Sequence, residues 1–414
     1  MRPFLLSAAL AWTALPCAAA EWAWPGGTAA TGAVITSSVG DDMVLADGGW
    51  PGIAVRADRA ADAGDGIRRW TWDRLHPDTA YAWGRSGATA PLGVLRTLPE
   101  PGRPASFRIA VGSCAKGADI PAWRAIAGER PLLTLVTGDF HYGDVDTDDA
   151  PRIRTLVLAR PLAPSFQVLA AVSPVLWMWD DHDFGGNDSR FDSKAATAVH
   201  AVYRQAAPHL PLALPGDGAP IAQAFSVGRV RFLWPDLRSD RDRTPGSLLG
   251  ERQRSWIAAE IAAAPVAHRL LVLVSSVPWN GGPLPGKDRW QSYPEERSWL
   301  VERIAAAGIR ACILAGDAHM VAIDDGRTSP GALPVLQAAA LDQRGSYKGG
   351  PYSHGARPGG GQYALMEVED DGGALTVRWA ARDGSDGRPG IPVAPSATWP
   401  AAAPGPIAYT FTVP

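Results

Sequence analysis

Six short apolar runs, spread between residues 107 and 315, constrain the fold of this chain more than any other feature. They are Phe107-Arg108-Ile109-Ala110-Val111-Gly112, Leu132-Leu133-Thr134-Leu135-Val136-Thr137, Pro174-Val175-Leu176-Trp177-Met178-Trp179, Val230-Arg231-Phe232-Leu233-Trp234, Leu270-Leu271-Val272-Leu273-Val274 and Ala311-Cys312-Ile313-Leu314-Ala315. A strand with one wet face alternates polar and apolar residues, whereas a run that is apolar almost throughout is covered on both faces. Helical patterns lie between several runs: 251–264 is Ala-rich and amphipathic, and 295–304 sets apolar residues at helical spacing. The pattern predicts an α/β domain with layered sheets.

The polar residues just beyond the runs carry the chemistry. The first run leads into Gly112-Ser113-Cys114 and the second into Gly138-Asp139-Phe140-His141-Tyr142. The third leads into Asp180-Asp181-His182-Asp183-Phe184-Gly185-Gly186-Asn187-Asp188, and the last into Gly316-Asp317-Ala318-His319. Sites in α/β sheets lie beyond the carboxyl ends of the strands. Any one of these motifs is equally well a turn or a helix cap; four strand ends rich in ligand types point to a shared metal centre. A phenolate and a thiolate suit a strongly polarising ion such as Fe(III). Asp139 and Tyr142 share one loop, and Asp317 and His319 are alternate positions of an extended segment. Asp181 and Asp317 add oxygens that suit a harder ion such as Ca²⁺ or Mg²⁺. His182 is then an acid beside the centre.

Residues 21–99 read differently, as short alternating runs broken by Gly, Pro and Asp, the signature of an antiparallel β sandwich. Leu75-His76-Pro77-Asp78-Thr79-Ala80-Tyr81 resembles the tyrosine-corner segment of fibronectin type III-like domains, and Pro99-Glu100-Pro101-Gly102 reads as a linker. Residues 1–20 have a lone positive charge, an apolar stretch too short to span a bilayer, and a small-residue end, the layout of a cleavable export signal. The expected organisation is a signal at 1–20, a β-sandwich domain at 21–100 and a large α/β domain at 101–414. Secretion or periplasmic export is the expected destination, with no membrane span. Lipoprotein processing at Cys17 is disfavoured by Pro16. With 39 Lys and Arg against 42 Asp and Glu, the net charge of −3 excludes a strongly basic nucleic-acid binder. Of three cysteines, Cys114 and Cys312 would remain after cleavage. Export permits a disulfide between them, but a metal-bound thiolate cannot be half of one; Cys114 is expected as a ligand and Cys312 as a buried free thiol.

At these strand ends the chain resembles the calcineurin-like metallophosphoesterases, and specifically the alkaline phosphatase D (PhoD-like) family. Gly138-Asp139-x-x-Tyr142 is also similar to the purple acid phosphatase block with its iron-binding Tyr, and Trp179-Asp180-Asp181-His182-Asp183 looks like the PhoD version of the third block. The resemblance covers most of residues 105–370. It implies Fe(III) held by Cys114, Asp139, Tyr142 and His319, with Asp139 bridging to Ca²⁺ bound also by Asp181 and Asp317. His182 would face the phosphoryl group and protonate the leaving oxygen or stabilise the transition state. The implied activity is metal-dependent hydrolysis of phosphoric esters, as alkaline phosphatase or phosphodiesterase, by in-line displacement with a metal-activated water. The family often uses a twin-arginine signal, whereas Arg2 stands alone here. The segment 360–414 lacks a long helix that could cap the site, so an open cleft is expected.

Several residues have weaker claims. Asn187, Arg238 and Lys348 are candidates for substrate phosphate, Asn187 also for an oxygen ligand, set against helix capping for Asn187 and solvated surface for the two cations. His141 reads as a substrate contact or an exposed loop residue, His200 as a packed helical residue, and Trp177, Trp179, Trp234 and Trp279 as core. The alternative function is a non-catalytic exported binding module stabilised by metal, and an iron oxidoreductase is disfavoured by the Tyr and Cys ligands. A monomer acting on a small or polymeric phosphate ester is expected.

Overall fold

A computed structural model describes residues 21–38, 42–282, 286–396 and 405–414. The predicted export signal at 1–20 lies outside them. The six apolar runs all form strands: Phe107–Gly112, Leu133–Val136, Val175–Trp177, Val230–Trp234, Leu270–Ser275 and Arg310–Ala315. They divide between two seven-stranded sheets. In the first sheet, Val175–Trp177, Leu133–Val136 and Phe107–Gly112 run parallel, and Gln362–Asp370 continues it antiparallel. In the second, Val230–Trp234, Leu270–Ser275, Arg310–Ala315 and Val335–Ala338 run parallel.

The side-chain period of two explains why these runs are apolar throughout. Val272, Val274, Cys312 and Leu314 point from the second sheet into the core shared with Val111, Leu135 and Val136 of the first. Leu271, Leu273, Ile313 and Ala315, one residue out of step, pack under Ile257 and Ile261 of helix Gly250–Ala263 and Leu300 and Ile304 of helix Pro294–Ala307. Helices Pro121–Glu129 and Pro164–Ala170 cover the first sheet through Trp123, Ile126, Phe166 and Leu169. The layers are therefore helix, sheet, sheet, helix.

The N-terminal part holds two four-stranded antiparallel sheets. Ile35, Trp70 and Trp72 from one meet Leu45, Tyr81, Trp83 and Leu95 from the other in a common core. The Tyr81 hydroxyl accepts a hydrogen bond from the His76 N–H at 3.0 Å, the backward bond expected of its segment. This part is tied closely to the rest. Trp24 stacks on Phe140 at 5.4 Å and donates to the Val175 carbonyl at 2.9 Å, and Arg69 donates to the Ala207 carbonyl at 2.7 Å. No helix of the described residues is long and apolar enough to cross a membrane. Among the described residues of 360–414 there are strands and no helix, as expected.

Candidate metal centre

The loops after Phe107–Gly112, Leu133–Val136, Val175–Trp177 and Arg310–Ala315 converge where the carboxyl ends of the two sheets meet. Two glycines allow the approach. A methyl on Gly316 would lie 2.7 Å from the Thr137 carbonyl oxygen and 2.9 Å from that of Ser276. A methyl on Gly138, at φ 113°, would lie 2.4 Å from Asp180 Cβ. Backbone strain is concentrated here: Cys114, Asp139, Asp317 and His319 all adopt left-handed φ of 61°, 52°, 62° and 51°. That region is sparsely populated by non-glycine residues and is held only where surroundings over-determine it.

The six residues expected as ligands are brought together. Ligand atoms of Cys114, Asp139 and His319 lie within 4.8 Å of one another, and so do those of Asp139, Asp180 and Asp317 and of Asp139, Asp181 and His182. Asp139 belongs to all three groups, the position a bridging carboxylate needs. The Tyr142 hydroxyl donates to Asp139 Oδ2 at 2.7 Å and lies 3.2 Å from His319 Nε2.

The electrostatics call for a cation. Asp139 Oδ1, Asp180 Oδ2, Asp181 Oδ1 and Asp317 Oδ2 are buried without a hydrogen-bond partner, although buried polar atoms are nearly always paired. Burial, then the charges of Asp181 and Asp180, pushes the Asp139 carboxyl well up. Burial, then Asp139 and Asp317, pushes up the Cys114 thiol, and burial and Cys114 do the same to the Tyr142 phenol. For Asp181, burial acts upward but is outweighed by Arg238 and His182, which hold it at about 2. A bound cation reverses this logic, because it favours the ionised thiolate, phenolate and carboxylates. The donor set therefore fits a metal centre: S, O and N atoms on one side of Asp139, and carboxylate oxygens on the other.

His182 lies beside this cluster in the short helix Asp181–Phe184. Its ring packs on Tyr142 with centroids 4.3 Å apart, and its Nδ1 lies 2.5 Å from Asp144 Oδ1. Lys348 reaches Asp317 Oδ1 at 2.5 Å. Asn187 is exposed on the rim, and it does not cap the next helix, whose N-cap is Ala195. The adjacent Asp188 N–H instead donates to Asp181 Oδ2 at 2.8 Å. Arg238 corrects an expectation. It is wholly buried, with its guanidinium held by Asp180 at 2.6 Å and Asp288 at 2.5 Å, so it braces the carboxylates from beneath and has no open face for a phosphate. His141 is buried as well, and burial, then the Arg160 charge, lowers it to about 3. His200 and the four tryptophans Trp177, Trp179, Trp234 and Trp279 are packed, as expected. Cys114 and Cys312 are both buried free thiols.

Three supporting residues are invisible to motif reading. Asp183 accepts from the N–H groups of Phe140 at 3.0 Å, His141 at 2.9 Å and Asp180 at 3.0 Å, locking two loops together. Asp180 and Asp183 stand inside the third block, where spacing alone gives them no role, and Asp144 meets His182 only through the fold.

The profile of a family described as PhoD-like phosphatase matches residues 109–333. The chain belongs to the PhoD-like phosphatases. It is therefore a metal-dependent phosphoric ester hydrolase, and the non-catalytic binding module is set aside. A solved structure of PhoD is similar at TM-score 0.69 and 15% identity, covering 94% of this chain and 89% of that one. A purple acid phosphatase from yellow lupin (Lupinus luteus) seeds is similar at TM-score 0.58 and 11% identity, covering 89% of this chain and 72% of that one. Both likenesses are of fold. No curated protein matches this PhoD-like chain.

Proposed function

We propose that this PhoD-like phosphatase is an exported alkaline phosphatase or phosphodiesterase with a dinuclear Fe(III)–Ca²⁺ centre. Cys114, Asp139, Tyr142 and His319 would hold the iron, and Asp139, Asp181 and Asp317 the calcium. The observation that carries this reading is the convergence of unpaired buried carboxylate oxygens with a thiol, a phenol and an imidazole. A strongly polarising ion such as Fe(III) ionises the thiol and phenol that would hold it, and the oxygen-rich side suits Ca²⁺. When bound, the two cations supply Lewis acidity toward the ester and acidify water at the site.

The chain's own residues do the rest. Asp144 holds His182 by Nδ1, leaving Nε2 to give a proton to the departing oxygen. The Tyr142 ring under His182 fixes the plane of the imidazole. Asn187 on the rim and Lys348 at Asp317 are within the same neighbourhood and are our candidates for the substrate's phosphate. We further read residues 21–100 as a fibronectin III/Ig-like sandwich, supported by the Tyr81 bond, residues 101–414 as the hydrolase domain, and residues 1–20 as the export signal.

The purified enzyme should be coloured by phenolate-to-iron charge transfer, with iron near one per chain and calcium as the second metal. Colourless, fully active protein containing only zinc would overturn the metal assignment. Release of inorganic phosphate from monoesters, compared with release of the alcohol from diesters, defines the substrate class.

A further inference from the structure

Lys348 stands where a second cation is expected, and this inference rests on Asp317 being a ligand for that ion. Its Nζ lies 2.5 Å from Asp317 Oδ1, while Asp317 Oδ2 is buried without a hydrogen bond. The root of the side chain is fixed: the wholly buried Tyr352 donates to the Lys348 carbonyl at 3.3 Å, and Asn280 Nδ2 donates to the carbonyl of Pro351 at 3.2 Å. Beyond that root, the four-carbon stem is flexible and ends in a compact point charge. Arg238, the other cation beneath the carboxylates, is ion-paired with Asp180 and Asp288. A divalent ion on Asp317 would share one carboxylate with the ammonium, and like charges at that distance repel strongly.

We propose that Lys348 is an internal competitor for the second cation: it holds Asp317 until a divalent ion takes that carboxylate, and then turns to the substrate's phosphoryl oxygens. The exchange is ion for ion. The ammonium keeps its proton throughout, and no covalent bond is made or broken. The second ion accordingly binds more weakly than its carboxylates alone would allow. Its binding is also coupled to that of the phosphate ester through one side chain.

The test is calorimetric titration of Ca²⁺, without substrate, into the full mature enzyme freed of labile ions with EGTA. Lys348→Met should bind Ca²⁺ about tenfold or more tightly than wild type, within the usual range of coupling between sites. Lys348→Arg keeps the charge and should not gain. The KM of Lys348→Met for a phosphate ester should rise. Unchanged or weaker Ca²⁺ binding by folded Lys348→Met overturns the competition. A crystal structure of the Ca²⁺-loaded wild type gives a second check that needs no variant: Lys348 Nζ should have left Asp317, and an ammonium still on Asp317 beside the ion overturns the proposal. Asp317→Asn separates this inference from the reading beneath it. If that variant binds Ca²⁺ like wild type, the ion is not at Asp317 and both fall; if it loses the ion while Lys348→Met shows no gain, the competition alone falls.

Discussion

Asp181 and His182 are neighbours in sequence with different surroundings. Asp181 Oδ2 accepts from the Asp188 N–H while its Oδ1, 3.9 Å from the Arg238 guanidinium, has no hydrogen bond, whereas His182 is held by Asp144 and packs on Tyr142. They should therefore fail differently. His182→Ala should retain both metals and lose roughly 10²–10⁴-fold in turnover on an alkyl phosphate, with a smaller loss on a p-nitrophenyl ester that needs little protonation. Asp181→Ala should lose the second ion and recover partly in excess Ca²⁺. Metal analysis alongside turnover checks both, and loss of metal in His182→Ala would make it a ligand. At this scale the candidate ligands are legible in the sequence because each lies just beyond an apolar strand. Asp144 is not, because its partner is 38 residues away and no spacing rule connects them. Arg238 is legible as a cation but not as a buried one; only the packing shows Asp180 and Asp288 around it.

At the scale of the element, the two sheets meet through glycines as much as through side chains. Gly316→Ala would place a methyl against two carbonyl oxygens, both backbone and unable to swing away. Such overpacking typically costs about 1–3 kcal/mol. The variant should melt several degrees lower and hold metal less well, as thermal denaturation and metal content would show; an unchanged melting temperature would mean that the Thr137 and Ser276 segments yield freely. The parallel strands are readable because burial on both faces writes an uninterrupted apolar run. Strands Gln362–Asp370 and Leu375–Asp383, which extend the first sheet, lack that signal. Glu367, Glu369 and Arg378 break up their pattern, since they alternate between core and surface.

At the scale of the whole molecule, the buried His200 and the half-buried His209 make stability depend on pH. Burial, then the Arg69 charge, lowers His209 to about 3, and burial lowers His200 to about 4 despite Asp236. Both then sit below the ordinary value of about 6.5 for an unfolded chain. Below that pH the unfolded chain takes up protons that the folded one refuses, so this contribution is complete above pH about 6.5 and is lost as the pH falls toward 4 and then 3. The unfolding free energy should drop by a few kcal/mol by pH about 4, and His209→Gln should flatten the curve. A denaturation series from pH 8 to 4 in which the variant tracks wild type would exclude His209 as a source.

The Trp24 ring joins two parts of the chain that the Pro99-Glu100-Pro101-Gly102 linker separates in sequence. It stacks on Phe140, one residue from Asp139, and packs edge-on against Phe166 at 5.7 Å. The first strand of the leading β part is thus a piece of the floor beneath the metal centre. Modularity on the map of the chain is not modularity in assembly: a truncated enzyme beginning at residue 101 would present an open apolar socket under the loop of Asp139 and Tyr142. Such a truncation should aggregate on expression. If it folded and bound metal as the longer chain does, the socket would have to close without its tryptophan. The same dependence runs in time as well as space, for Trp24 must wait until residues up to Val175 and Trp177 exist before its indole N–H and ring have all their partners.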